Sequence, residues 1–109
     1  MKPVDFDYAR PDTLDDALAL LAQPNARVLA GGQSLGPMLN LRLAQPALLV
    51  DITGVGALRE ASQENGSLRL GACVTHTAIE DGDVPDVTNG AMASVARDIA
   101  YRAVRNRGT

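Results

Sequence analysis

The stretch "LAGGQSLGPMLNLRL", residues 29–43, decides the reading of this chain. An apolar run meets two adjacent glycines and a polar pair, and a second apolar run follows Pro37. The residues before it, "ARVLA" (26–30), read as a short buried strand, and "GGQS" reads as the turn that follows. Pro37 suits the first turn of a helix, where its missing N–H would have no partner anyway, so a helix is expected over about 35–43 with Met38, Leu39 and Leu43 on its inner face. Pro46 interrupts, and "LLVDI" (48–52) is a second buried strand. Strand, helix and strand in so short a space make a βαβ unit, which favours parallel pairing.

Adjacent glycines can take positive φ without steric cost. Successive N–H groups in such a turn converge on an anion, and a helix beginning directly behind them adds its dipole. Gln33 and Ser34 add side-chain donors. A pyrophosphate is therefore a reasonable guest, although a strand-to-helix turn also needs glycine for purely structural reasons, and the local pattern leaves both readings open. The stretch is not a P-loop, because no Gly-Lys-Ser follows, and it lacks the G-x-G-x-x-G spacing of a dinucleotide fingerprint.

On the N-terminal side, residues 3–10 alternate, with Val4, Phe6 and Tyr8 on one side, as expected of an edge strand. Thr13 with Asp16 resembles a capping box ahead of "LDDALALLAQ", a helix expected to pack through Leu14, Ala17, Leu18 and Leu21 and to stop at Pro24-Asn25. Asp15 and Asp16 suit the positive end of the helix dipole rather than forming a catalytic pair. On the C-terminal side, Asn65-Gly66 between two strand-like runs signals a hairpin. Thr75 caps a short helix over 75–82, and 86–100 reads as a helix with Thr88 or Asn89 as cap and Met92, Val95, Ala96 and Ile99 on its packing face. Cys73 is expected as a small buried strand residue, and Asp51 as the cap of the turn after its strand. No closing element is expected after the last helix, which suggests an incomplete chain. The fold class is α+β, with a leading βαβ subdomain over 1–55 and the start of a second α+β subdomain over 56–109.

The 109 residues fit one small domain, 46% hydrophobic and only 3% aromatic, so the core must be aliphatic. A single cysteine excludes an internal disulfide framework. The N-terminus lacks a signal-peptide core and no apolar run approaches a membrane span, so a cytoplasmic location is expected. Net charge is −3, yet residues 97–109 carry four arginines against Asp98. This basic end is either a solvated surface or a contact for phosphate or a partner. Nucleic-acid binding is disfavoured by the overall negative charge and the lack of stacking aromatics.

Four ordered blocks, "FDYARPDTLDDALALLAQ" (6–23), "LAGGQSLGPMLNLRLAQPALLVDI" (29–52), "LRLGACVTHTAIE" (68–80) and "IAYRAVRNRGT" (99–109), resemble the FAD-binding flavoprotein subunits of molybdenum hydroxylases, of the carbon monoxide dehydrogenase and xanthine dehydrogenase type. These belong to the wider p-cresol methylhydroxylase or vanillyl-alcohol oxidase class of FAD-binding fold. The resemblance implies FAD as cofactor, held through its pyrophosphate by Ala30, Gly31, Gly32, Gln33, Ser34 and Leu35. It implies a second loop, Thr-Ile-Gly-Gly, of which this sequence contains only Thr109, so the chain alone is expected to bind FAD weakly or not at all. His76 lies in a stretch that approaches the flavin in such proteins, and a place on the solvent side of a first helical turn is the competing reading. Gly36 departs from the larger apolar residue usual before this proline. The implied role is electron transfer from a molybdenum centre through 2Fe–2S clusters to FAD and an external acceptor, with a molybdopterin-binding large subunit and a 2Fe–2S small subunit as partners. A non-catalytic interaction or assembly module is the alternative.

Overall fold

The computed structural model describes all residues, Met1–Thr109. Three strands, β1 (Asp7–Ala9), β2 (Ala26–Leu29) and β3 (Leu48–Asp51), form a sheet in the order β1-β3-β2, with both pairings parallel. Helices α1 (Leu14–Leu21) and α2 (Leu35–Asn40) make the crossovers. β3 is central and buried at every position, as a strand covered on both faces must be. Its side chains alternate. Leu48 and Val50 join Ala17 of α1, with Ile52, Val55 and Cys73, in the larger apolar cluster. Leu49 turns the other way and packs with Leu39 of α2 and Ala44.

Thr13 caps α1 as expected, its Oγ1 accepting from the Asp16 N–H at 3.2 Å, which is one half of a capping box. The buried face of α1 is rotated from the expected one. Ala17, Leu20 and Leu21 pack on the sheet, whereas Leu14 and Leu18 are exposed. β2 is shorter than expected and is not buried, because it is the edge of the sheet, and Arg27 and Val28, on opposite faces of it, are both exposed. β1 is likewise an edge strand, limited to three residues of the expected eight. α2 stops at Asn40, since Arg42 takes φ 58° and turns the chain, so Leu43 is left 72% exposed and Met38 is also exposed. Only Leu39 of the three expected residues is buried.

After two 3-10 turns (Ile52–Gly54 and Gly56–Arg59), β4 (Ala61–Glu64) and β5 (Ser67–Leu70) pair antiparallel. Asn65 and Gly66 both have positive φ (50° and 77°), as a two-residue hairpin turn with the strand's own twist demands. Cys73 is buried but sits in a turn rather than on a strand. Thr75 caps α3 (His76–Glu80) through the Ala78 N–H. The next helix, α4 (Ala91–Arg97), begins later and ends earlier than expected. The Asp86 carboxylate accepts from the N–H groups of Thr88 and Gly90, which locks 86–90 into a turn that competes with helix. Gly90 occupies the cap position at φ 90°, while Thr88 supplies the capping oxygen to the Met92 N–H. Ala96 of α4 is buried, but Val95 is 67% exposed.

A closing element does follow. α5 (Arg102–Arg105) folds back on α3, and Arg105, only 8% exposed, donates to Glu80 and to the Ile99 carbonyl. Arg102 grips Asp81 and Glu80. Two of the terminal arginines are therefore paired, not a solvated basic end. No helix is long and apolar enough to cross a membrane.

Candidate functional site

The parallel register carries three chain segments to one place. Tyr8 pairs with Leu49 and Leu29 with Asp51, and side chains two residues apart share a face. Tyr8 and Arg10, Leu29 and Gly31, and Leu49 and Asp51 therefore lie on the same side of the sheet. Arg10, Gly31 and Asp51 mark the C-terminal ends of the three strands, the end at which parallel α/β sheets place their ligands. A cavity of about 410 Å³ opens there. Its walls are Arg10, Ala30, Gly31, Asp51 and Thr53 from the sheet side, Arg59, Cys73 and Thr75 from the following segment, and Asn106, Arg107 and Thr109 from the end of the chain.

The glycine turn and the end of the chain meet. A Cβ on Gly31 would stand 2.0 Å from the Arg107 carbonyl oxygen, so only glycine permits this approach. Gly32 has φ 74°, and Gln33 Nε2 donates to the Gly31 carbonyl and closes the turn. None of the backbone N–H groups of Ala30, Gly31, Gly32, Gln33 and Ser34 donates to an acceptor within the chain. Ser34 leaves its hydroxyl uncommitted, since it makes no side-chain cap bond at the start of α2. Five consecutive free donors behind a Cβ-less surface fit a phosphate-bearing group, because such donors need an acceptor whenever water is displaced from them. Of the residues expected at the site, Ala30, Gly31 and Thr109 line the cavity, and Gly32, Gln33, Ser34 and Leu35 follow in the adjoining turn. His76 does not line it. Its N–H donates to the Gly108 carbonyl at 2.9 Å, and its ring lies against Gly108, with Nδ1 buried and without a partner.

Asp51 caps the turn after β3, as expected, accepting from Thr53 N–H (3.0 Å) and Thr53 Oγ1 (2.6 Å). Not foreseen were its two other partners. The Tyr8 hydroxyl donates to its second oxygen, and Arg10 Nε lies 3.7 Å from that oxygen and 3.4 Å from Thr53 Oγ1. Burial works against the Asp51 charge, but the hydrogen bonds from Thr53 and Tyr8, with Arg10 nearby, hold its carboxyl below the usual aspartate value. The same bond to Asp51, helped by desolvation, pushes the Tyr8 phenol up. Burial, with Asp51 nearby, raises the Cys73 thiol, so it is a poor nucleophile. Tyr8, Arg10 and Arg59 carry no local motif, and only the strand register could have flagged the first two.

A parallel sheet with a glycine turn and free N–H groups at its carboxyl end offers the donors that a phosphate group needs. The more specific assignment comes from comparison: residues 4–109 match the family described as "FAD binding domain in molybdopterin dehydrogenase", and the chain belongs to that family. It is 40% identical over 111 residues to the caffeine dehydrogenase subunit beta of Pseudomonas sp. (strain CBB1), covering all of this chain and 38% of that protein. It is 38% identical to the carbon monoxide dehydrogenase medium chain of Hydrogenophaga pseudoflava, covering all of this chain and 39% of that one. Among solved structures, quinoline 2-oxidoreductase from Pseudomonas putida 86 superposes with a TM-score of 0.91 at 43% identity, over all of this chain and 39% of that chain. The chain thus spans about two fifths of the length of these relatives, and its α+β fold is the N-terminal part of theirs.

Proposed function

We propose that this chain forms the pyrophosphate-binding part of the FAD site in the flavoprotein subunit of a molybdopterin-dependent dehydrogenase. The observation that carries the reading is the row of five unpaired N–H groups at Ala30–Ser34, held against the Arg107–Thr109 segment by a contact that only glycine at 31 allows. In this reading Ala30, Gly31, Gly32, Gln33 and Ser34 offer backbone donors to the diphosphate, with Leu35 beside them. Thr109 stands at the mouth, and His76 supports Gly108 from behind. Bound there, FAD supplies electron transfer between a partner's iron–sulfur centres and an external acceptor. The chain's own residues bind and orient it. A molybdopterin-binding large subunit and a 2Fe–2S small subunit are the proposed partners, supported by relatives named as beta subunits and medium chains. We further place the division between the two halves of the fold near residue 55, where the parallel sheet gives way to the hairpin.

The test is a thermal melt with and without excess FAD. It uses this chain and a version extended past Thr109 by the segment that follows in the Hydrogenophaga medium chain. A ligand that binds only the folded state raises the melting temperature. The extended chain should respond, and Gly31→Val or Gly32→Val should abolish the response. Variants that retain FAD in full would overturn the loop assignment.

A second reading, a non-catalytic interaction module, is favoured by one feature. Between α3 and α4 runs an almost wholly apolar groove of about 340 Å³ lined by Ile79, Met92, Val95 and Ile99. Folding of both chains with no response to FAD would support it instead.

A further inference from the structure

The cavity at the strand ends is lined by three arginines, Arg10, Arg59 and Arg107, and by one acidic residue, Asp51. That carboxylate is already occupied, since both its oxygens accept from Thr53 and Tyr8. Arg10 uses only Nε, toward Thr53 and Asp51, and its two terminal nitrogens make no hydrogen bond. The side chains of Arg59 and Arg107 make neither a hydrogen bond nor an ion pair. Arg27, Arg69 and Arg97 are unpaired as well, so it is the convergence of three arginines on one cavity that sets this place apart. Arg102 and Arg105 are fully engaged with Glu80 and Asp81. Three like charges converging on one cavity repel one another, and a surplus of positive charge with free planar donor forks is the arrangement that takes a phosphate dianion.

We propose that Arg10, Arg59 and Arg107 bind the diphosphate of the flavin in the cavity they share with Gly31, with Asp51 and Tyr8 as positioning residues that aim Arg10. The proposal rests on the FAD reading above and extends it from backbone donors to a specific set of side chains. The division of labour is physical. The N–H groups at 30–34 fix where the phosphates sit, and the guanidinium groups neutralise them. Asp51 is spent on orienting Arg10 and on its own turn. Its carboxylate does not cancel the whole cavity charge, and a bidentate contact through the Arg10 terminal nitrogens remains open. The ligand class is thus a diphosphate ester, with free inorganic pyrophosphate as a minimal competitor.

The experiment measures binding of FAD, and its displacement by inorganic pyrophosphate, on the 109-residue chain and its extended form. Arg59→Gln is the primary variant, because the exposed Arg59 side chain makes no hydrogen bond or ion pair and its replacement should leave folding intact. Arg10→Gln and Arg107→Gln follow. Each should weaken FAD and pyrophosphate in parallel, by about tenfold or more, the scale of one lost charge-assisted hydrogen bond. Arg10→Lys should recover only part, since it keeps the charge and loses the fork. Tyr8→Phe should weaken FAD less than Arg10→Gln, as a residue acting through another. If the arginine variants bind FAD unchanged while Gly31→Val abolishes binding, the arginine assignment falls and the glycine-turn reading stands. If FAD weakens but pyrophosphate does not, the contact is not to the diphosphate and the proposal is overturned. If the unsubstituted protein binds neither ligand in either form, the reading and the proposal fall together.

Discussion

Gly31 and Arg107 are in contact through backbone alone: a Cβ at 31 would stand 2.0 Å from the Arg107 carbonyl oxygen. They lie seventy-six positions apart in sequence, and the contact joins the end of β2 to the segment after α5. A carbonyl fixed by the preceding helical turn cannot swing away as a side chain would. Gly31→Ala should therefore destabilise the fold by about 1–3 kcal/mol, the range for forcing extra volume into a packed place. Chemical denaturation measures it. Gly36 gives the contrast. It lies within α2 with nothing inside 4 Å of a new Cβ, so Gly36→Ala should stabilise by about 0.5–1 kcal/mol. Equal effects at the two positions would refute the contact.

Much of this architecture was legible in the sequence because it is local. Thr13 and Thr75 cap helices, Asn65-Gly66 turns a hairpin, and "LLVDI" is a buried strand, and each follows from a few neighbouring residues. The Tyr8–Asp51–Arg10 group was not legible. It depends on which strands pair and in what register, and no spacing in the chain encodes that. The helix ends at 41–43 and 86–90 were misjudged because backbone turns at Arg42 and Asp86 outcompete an apolar periodicity that continues past them. The return of 102–108 onto α3 was missed because arginines read as surface until their acidic partners, Glu80 and Asp81, are placed.

Helix capping gives a simple calibration. The Thr13 hydroxyl accepts the Asp16 N–H, so Thr13→Ala should cost about 1 kcal/mol in chemical denaturation. Thr13→Ser should cost little, as serine caps equally well. A loss of the same size in the serine variant would show that the methyl group, not the hydroxyl, matters.

The acid side of the stability curve should report Asp51. Its carboxyl titrates below the usual aspartate value in the folded chain, so the unfolded state takes up its proton first as pH falls. The contribution of this group is whole above the ordinary value of 3.8 and is lost as pH drops through the lower, folded value. Thr53→Ala or Tyr8→Phe removes a hydrogen bond to the charged form and should move the Asp51 carboxyl upward, as read by its carbon chemical shift in an NMR titration. Asp51→Asn should in turn let the Tyr8 phenol ionise at lower pH, because the acceptor that holds its proton has lost its charge. An unchanged phenol titration would mean that the two side chains are not bonded in solution.

Arg105 and Glu80 decide whether the end of the chain stays on the cavity. Arg105 is nearly buried, bonds both Glu80 oxygens, and reaches the carbonyls of Ile99 and Ala100. These contacts anchor α5, and α5 carries Asn106, Arg107 and Thr109 to the cavity wall. The Glu80 carboxyl is held below the usual glutamate value, chiefly by its hydrogen bond from Arg105. Arg105→Ala should therefore free the 106–109 segment without unfolding the three-stranded sheet, which Arg105 does not touch. The amide of His76, bonded to the Gly108 carbonyl, is the reporter. Its hydrogen exchange should accelerate strongly in the variant, while amides of β3 remain protected. Arg105→Lys should behave like alanine more than like arginine, since one ammonium cannot span the two Glu80 oxygens and two carbonyls at once. If His76 stays protected in both variants, the segment is held by its other contacts, the Thr77–Asn106 hydrogen bond and the backbone at Gly31 and His76, and the Arg105 ion pair is incidental.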